Sequence, residues 1–138
     1  MIMNPPRDVF RGSDDEPHVK AAAHQFIGDA YVYSVSEALG TEQTRIRLVR
    51  FTPGARTRPH RHSKDQLLFF LDGPGIIAVD GGPDQVIEPG QFVLLPGGAM
   101  HMHGATEGAP TSHISMMVSI DSDFESAIPA AWQHYRDA

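Results

Sequence analysis

Residues 54–66 read GARTRPHRHSKDQ, a stretch that brings two histidines and a glutamine close together. Alternate side chains of a strand point to one face, so His60 and His62 share a face. Gln66 can return to that face after the turn-prone residues 63–65. A third imidazole, His101, follows the turn at residues 96–98. Because distant residues meet inside an antiparallel barrel, the sequence predicts a metal site made of His60, His62, Gln66 and His101.

Glycine and proline punctuate the rest of the chain at short intervals, for example in residues 73–75, 81–83 and 96–98. Between these turns lie short segments rich in branched and aromatic side chains. Short strands joined by tight turns are typical of a sandwich or a barrel, so we predict an all-β fold.

The chain has 138 residues, which is the size of a single domain. We predict a flexible N-terminal arm over residues 1–22, a β-barrel over 23–121 and a C-terminal helical tail over 122–138. Residues 24–35 are predicted to supply one or two outer strands. Helical periodicity is confined to the tail, where Ser122 and Glu125 can form a capping box and Pro129 suits the first turn of a short helix.

Composition narrows the chemistry that this domain can carry. There are no cysteines, so any metal is bound by nitrogen and oxygen, and one divalent transition ion (Mn, Fe, Ni, Co or Zn) is expected. No apolar run is long enough for a membrane helix, and the first residues do not resemble a secretion signal. We therefore expect a cytoplasmic protein that does not bind membranes.

The net charge is −6, yet seven of the eleven basic residues lie between Arg45 and Lys64. Arg45 and Arg47 alternate with Ile46 and Leu48, which favours a solvated face of a half-buried strand. Aromatic residues make up only 8% of the chain, whereas a nucleic-acid surface combines basic and stacking side chains. We expect no nucleic-acid partner.

Two motifs resemble those of the cupin superfamily. Gly54, the pair His60 and His62, then Gln66 and Gly73 have the spacing of the first cupin motif. The second motif is matched in spacing by Gly90, Pro96, Gly98 and His101. The resemblance implies a single-domain cupin, a jelly-roll or double-stranded β-helix barrel, here with a short C-terminal helix.

The chain departs from the cupin pattern at Gln66, where the family usually has glutamate, and at Ala105, where it usually has asparagine. Three neutral imidazoles and a neutral amide would leave a divalent ion its full charge. Such an ion favours Lewis-acid chemistry over redox chemistry with dioxygen. Alternatively, three histidines alone bind the metal, and Gln66 is a hydrogen-bond partner that does not touch the ion.

Within the superfamily, the chain is similar to short single-domain cupins related to carboxymuconolactone decarboxylase fusions. Some members of that group are manganese-dependent hydroxynitrile lyases. The group has a further histidine on the strand after the second motif, and His113 occupies the matching place. We predict that His113 and His103 are catalytic and move a proton, although His103 could also approach the metal or lie exposed at the barrel mouth.

These observations lead to a hypothesis of a metal-dependent enzyme with a lyase- or isomerase-like action on a small hydroxylated or carbonyl compound. One alternative is a dioxygenase acting on a catechol or enediol, and a polyketide cyclase is a further enzyme option. Another alternative is a non-catalytic cupin that binds a metal or a ligand. Because the edge strands of small barrels are commonly covered, we also predict a homodimer.

Overall fold

The computed structural model describes residues 19–118, 121–135 and 138. Short strands separated by turns make up most of this part of the chain, which confirms the predicted all-β fold. The strands are β1 (Val19–Lys20), β2 (Phe26–Ile27), β3 (Ala30–Ser34), β4 (Arg45–Phe51), β5 (Arg56–Thr57), β6 (Gln66–Asp72), β7 (Gly75–Val79), β8 (Gln85–Ile87), β9 (Phe92–Leu95), β10 (His101–Ala105) and β11 (Thr111–Met117).

The strands form two antiparallel sheets. One sheet has the order β1-β3-β4-β11-β6-β9, and the other has the order β2-β5-β10-β7-β8. Leu68 and Phe70 of β6 and Leu95 of β9 form a buried cluster with Ile77 of β7, so apolar side chains of both sheets meet between them. Burial of this cluster stabilises the packing of the two sheets against each other.

A short 3₁₀ helix, Ala130–Tyr135, closes the described chain. Pro129 precedes it, as predicted, and the Pro129 carbonyl accepts a hydrogen bond from the Trp132 amide at 2.8 Å. The buried Trp132 packs on Ala78 and Met102 at the back of the second sheet. This contact explains why the chain turns into a helix here.

The capping box predicted at Ser122 is wrong. The Asp123 carboxylate accepts the backbone N–H groups of Glu125 and Ser126, at 2.9 and 3.0 Å, and makes a turn instead of a helix start. A second helix, α1 (Val35–Leu39), was not predicted and ends at Gly40 in the left-handed conformation. Its five residues are too few to show a helical period.

Residues 24–35 supply β2 and β3, in agreement with the predicted outer strands. Most of the predicted arm, residues 1–18, lies outside the described residues, while Val19–Lys20 pairs with β3. The division into arm, barrel and tail stays a prediction. Neither helix in the described part of the chain has the length and apolar character required to span a bilayer.

Candidate metal centre

The two histidine motifs meet at a pair of backbone hydrogen bonds. The amide of His60 donates to the carbonyl of His101 at 3.1 Å, and the amide of His101 donates to the carbonyl of His60 at 2.8 Å. The Gly98 amide also donates to the His62 carbonyl at 2.7 Å. These bonds hold the turn before β10 against the segment that carries His60 and His62.

The imidazoles of the two motifs are therefore neighbours inside the barrel. The ring centroid of His60 lies 4.9 Å from that of His62 and 4.4 Å from that of His101. His103 lies 5.7 Å from both His60 and His101. The nitrogens of His60, His101 and His103 fall within 4.8 Å of one another, close enough to share one cation.

Backbone carbonyls orient the three motif histidines. Nδ1 of His60 bonds the carbonyl of Arg58 at 2.8 Å, Nδ1 of His62 that of Asp121 at 2.8 Å, and Nδ1 of His101 that of Ala99 at 3.1 Å. A carbonyl oxygen only accepts, so Nδ1 carries a proton in each ring, and in a neutral ring Nε2 then keeps its lone pair. Carbonyl-oriented histidines of this kind are the usual form of metal ligands.

Gln66 is oriented in the same way by a side chain. Its Nε2 donates to Oγ of Ser115 on the neighbouring strand β11 at 2.7 Å. The amide oxygen is left without a partner among the described residues, although it is buried. An amide oxygen is a competent ligand for a divalent ion, so Gln66 can add an oxygen to the imidazole set.

Several buried nitrogen and oxygen atoms share this lack of a hydrogen-bond partner in the described chain. Besides Oγ of Ser34 and Nε of Arg56, they are Nε2 of His62, His101 and His103, Nδ1 of His113, and Oε1 of Gln66. Leaving buried polar atoms unpaired is costly, so a group of them around one space indicates a missing partner. The nitrogen and oxygen donors fit a divalent transition ion. The three-histidine cluster contains His60, His101 and His103, and His62 is not part of it. His60, His62, Gln66 and His101 stay the predicted ligand set.

Burial keeps the imidazoles of His60, His101 and His103 neutral. Desolvation lowers the pKa of His101 to about 4, and burial with the nearby His101 lowers the pKa of His60 well below its ordinary value. Burial and the neighbouring His113 have the same effect on the pKa of His103. A neutral imidazole offers the free lone pair that a metal requires.

The two predicted catalytic histidines are hydrogen-bonded to each other. Nε2 of His113 lies 2.9 Å from Nδ1 of His103. His113 is fully buried between the rings of Phe51 and Phe70, with centroids 5.3 and 5.2 Å away, and burial lowers its pKa to about 3. His103 is buried too, so the predicted alternative of an exposed histidine at the barrel mouth is wrong.

A cavity of about 770 Å³ opens onto this cluster. Its walls include His60, His62, Gln66, His103 and His113. The volume is that of a small-molecule site, and apolar wall residues such as Phe26 and Val49 accompany the polar ones. The geometry thus combines candidate metal ligands, a histidine pair and space for a substrate.

The same cavity is lined by two arginines that alternate on β4. Arg45 and Arg47 line it, together with Val49 of the same strand. Arg47 is exposed, as the predicted solvated face requires, but this face turns to the cavity and not to the outside of the barrel. The alternation of Arg45, Arg47, Val49 and Phe51 was the signal that could have revealed this, because the last two are core residues.

Comparison with known proteins agrees with the motifs. The model of the cupin domain family matches residues 47–117, which include both histidine motifs. The chain is a cupin. This cupin is similar to a solved cupin-like protein of Thermotoga maritima, with a TM-score of 0.74 and 26% identity over 91% of this chain and 97% of that one.

Two lyases are similar to this cupin in sequence. An (R)-mandelonitrile lyase of Granulicella tundricola is 30% identical over 102 residues, which cover 74% of this chain and 78% of the relative. A dimethylsulfoniopropionate lyase of Ruegeria pomeroyi is 39% identical over 56 residues, 41% of this chain and 36% of that protein. The cupin therefore has lyase relatives and a cluster of three histidines that could hold a metal ion.

Proposed function

We propose that this cupin is a divalent-metal-dependent enzyme with a lyase-like action on a small hydroxylated or carbonyl compound. The observation that carries the proposal is the group of unpartnered, buried nitrogen and oxygen atoms beside the cavity. The similarity to an (R)-mandelonitrile lyase supports the reaction class. Bound to the ligand set, the ion would supply Lewis-acid polarisation of a substrate oxygen.

The ligand set is uncharged, which supports this chemistry. Burial lowers the pKa of His60 and of His101, which keeps both imidazoles neutral, and the Gln66 side chain is an uncharged amide. A glutamate at position 66 would cancel part of the charge of a divalent ion. The amide leaves that charge available to the substrate.

The pair of His103 and His113 is suited to moving the proton. In an α-hydroxynitrile, Nε2 of His103 would accept the hydroxyl proton while the carbon–carbon bond to cyanide breaks. The bond electrons leave with cyanide, and the carbinol becomes a carbonyl. The imidazolium formed on His103 would keep its Nδ1–H hydrogen-bonded to Nε2 of His113, 2.9 Å away. This contact supports His103 as the base and His113 as the residue that positions it.

The geometry also allows His103 to be a ligand, because its nitrogen lies within 4.8 Å of those of His60 and His101. Elemental analysis of untagged protein separates the two roles. We expect near-stoichiometric transition metal in the wild type and in His24→Ala, an exposed control. We expect most of the metal to be lost in His60→Ala and retained in His103→Ala.

Loss of metal from His103→Ala would move this residue into the ligand set and leave His113 to orient it. Equal metal content in the wild type and in His60→Ala would remove His60 from the site. Both outcomes can be read from the same set of purified samples.

Turnover tests the reaction class. The metal-loaded protein should release benzaldehyde from (R)-mandelonitrile without consuming dioxygen, and His103→Ala should slow this release by about 10²-fold or more. Oxygen uptake is measured with an oxygen electrode. Stoichiometric uptake during turnover would contradict the lyase proposal and assign the site to a dioxygenase. Metal binding with no turnover of hydroxylated or carbonyl compounds would favour a non-catalytic cupin.

We also propose a homodimer in which β9 is covered. This strand lies at an edge of the six-stranded sheet, with Phe92 68% exposed and Leu94 56% exposed. Apolar edge strands are generally covered in soluble proteins. Light scattering should give a dimer for the wild type and a monomer for Phe92→Ser, whereas Val86→Ser on the other sheet should leave the dimer intact. A monomeric wild type at micromolar concentration contradicts the proposal.

A further inference from the structure

Two arginines stand on the inner face of the six-stranded sheet. Arg45 and Arg47 alternate on β4, and the cavity that contains the histidine cluster is lined by both. The register aligns Arg45 with Met117 and, through it, with Gln66. Arg47 is aligned with Ser115, which holds the Gln66 amide. The arginines therefore belong to the same wall as a member of the ligand set.

Neither guanidinium has a hydrogen-bond or ion-pair partner among the residues that the structure describes. Other arginines are paired: Arg56 with Asp84 at 2.7 Å, and Arg61 with Asp123 at 3.2 Å. Two effects lower the pKa of Arg47: desolvation is the larger one, and repulsion by the positive charge of Arg45 is the smaller. Two like charges held together at a cavity wall indicate room for an anion.

The other charges at this wall do not cancel the pair. Glu37 lines the cavity and partly offsets the repulsion at Arg47. Lys20 lines it as well, but its ammonium group already pairs with Asp29 at 3.0 Å. The negative charge of Glu37 offsets one of the two arginine charges, so a net charge of +1 remains at this wall for a ligand.

The distance from this charge to the ligand set limits the size of the anion. Arg45 and Gln66 occupy the same row two strands apart, so their Cα atoms are separated by about 10 Å. Strand side chains stand roughly perpendicular to the sheet, so a similar distance separates the ends of the two side chains and leaves room for a few bonds between the anionic group and the reacting oxygen. A compact aromatic or aliphatic acid has this size.

We propose that the substrate carries a carboxylate, which Arg45 and Arg47 bind while its hydroxyl or carbonyl end faces the ligand set. This inference rests on the proposed function for the position of the reacting end. Arginine is well suited to this role because its planar guanidinium binds a carboxylate through two parallel hydrogen bonds. The two arginines are then specificity-determining residues on the wall of the cavity.

Paired substrates test the inference in the metal-loaded protein. The kcat/KM for 4-carboxymandelonitrile should exceed that for mandelonitrile by about tenfold or more, the effect of one charge-assisted contact. The ratio should fall towards one in the double variant Arg45→Gln, Arg47→Gln. Arg50→Gln removes the same charge from the opposite face of β4, so it should keep the wild-type ratio. Metal content and thermal midpoint should match the wild type in all variants.

Binding separates this inference from the proposed function. Calorimetric titration with 4-carboxybenzaldehyde and with benzaldehyde requires no turnover. Preferential, arginine-dependent binding of the carboxylated aldehyde supports the carboxylate site even when no nitrile is cleaved. Cleavage of both nitriles with equal kcat/KM overturns the carboxylate site and leaves the lyase proposal standing. Tighter binding of the phosphate ester of 4-hydroxybenzaldehyde overturns the assignment to a carboxylate.

Discussion

At the scale of single residues, the site is organised by groups that face away from the cavity. Nδ1 of each motif histidine donates a hydrogen bond to a backbone carbonyl, that of Arg58, Asp121 or Ala99. The Ser115 hydroxyl oxygen accepts a hydrogen bond from the Gln66 amide. Each bond fixes the ring or the amide that it holds. A predicted ligand set that is held in this way loses less freedom when an ion binds, which reduces the free-energy cost of binding.

Gln66→Glu tests the role of the neutral amide. The carboxylate adds a negative charge beside a divalent ion, so metal affinity in chelator competition should rise by about tenfold or more. The Ser115 hydroxyl can rotate and donate to the new carboxylate, so the orientation is kept. Turnover of a lyase substrate should fall, because the ion polarises oxygen less strongly.

The matched control for this substitution is Gln43→Glu, which adds the same charge at an exposed position. It should change neither metal affinity nor turnover. An unchanged metal affinity in Gln66→Glu would place residue 66 outside the ligand set.

Part of this arrangement was predictable from the sequence. The spacing predicted that His60, His62 and His101 lie close together, and their ring centroids are 4.4 to 5.3 Å apart. Their role as ligands, together with Gln66, stays a prediction. The contact between His103 and His113 was not predictable, since it depends on how β10 of one sheet faces β11 of the other. The inner position of Arg45 and Arg47 was missed because alternation defines two faces but does not say which one points inward.

At the scale of elements, β10 carries His101 and His103 and must lie close to β5. A Cβ on Gly104 would lie 2.3 Å from the Ala55 carbonyl oxygen and 2.6 Å from Cα of Arg56, both backbone atoms. Only glycine allows this approach. The strand that presents two imidazoles therefore depends on a residue without a side chain.

Gly104→Ala should push β10 away from β5 and lower the free energy of unfolding by about 1–3 kcal/mol, the usual cost of overpacking. Metal affinity should fall as well, because His101 and His103 move with the strand. Urea unfolding and chelator competition measure the two effects.

Gly108→Ala is the matched control, since a Cβ there meets nothing within 4 Å. It should leave both quantities unchanged. A Gly104→Ala protein with wild-type stability and metal affinity would mean that the two strands can separate without disturbing the site.

The elements differ in how far the sequence predicts them. Glycine and proline turns identified the strands because each turn needs a particular backbone geometry. The end of the chain was harder to interpret: Ser122 and Glu125 have the spacing of a capping box, but Asp123 captures the local amides first. The helix forms only where Trp132 finds a buried site against Ala78 and Met102, a tertiary contact that no local pattern encodes.

At the scale of the whole molecule, the barrel encloses histidines that are buried and neutral. The pKa of His113 is lowered to about 3 and that of His101 to about 4, mainly by burial, and burial also lowers those of His60 and His103. In the unfolded chain the same groups titrate near 6.5. Between these pH values the unfolded chain binds more protons than the folded one.

The metal-free protein should therefore lose stability as the pH falls below about 6.5. A group whose folded pKa is lowered contributes its full stability above the unfolded pKa, and each such histidine costs about 1.4 kcal/mol per pH unit below it. Urea unfolding of chelator-treated protein should show a constant free energy from pH 8 to 7 and a decline from pH 6.5 to 5. Added manganese or zinc should move the decline to lower pH, because a bound ion competes with protons for the same nitrogens. A flat profile from pH 7 to 5 would mean that the imidazoles are hydrated and that the barrel interior is open to water.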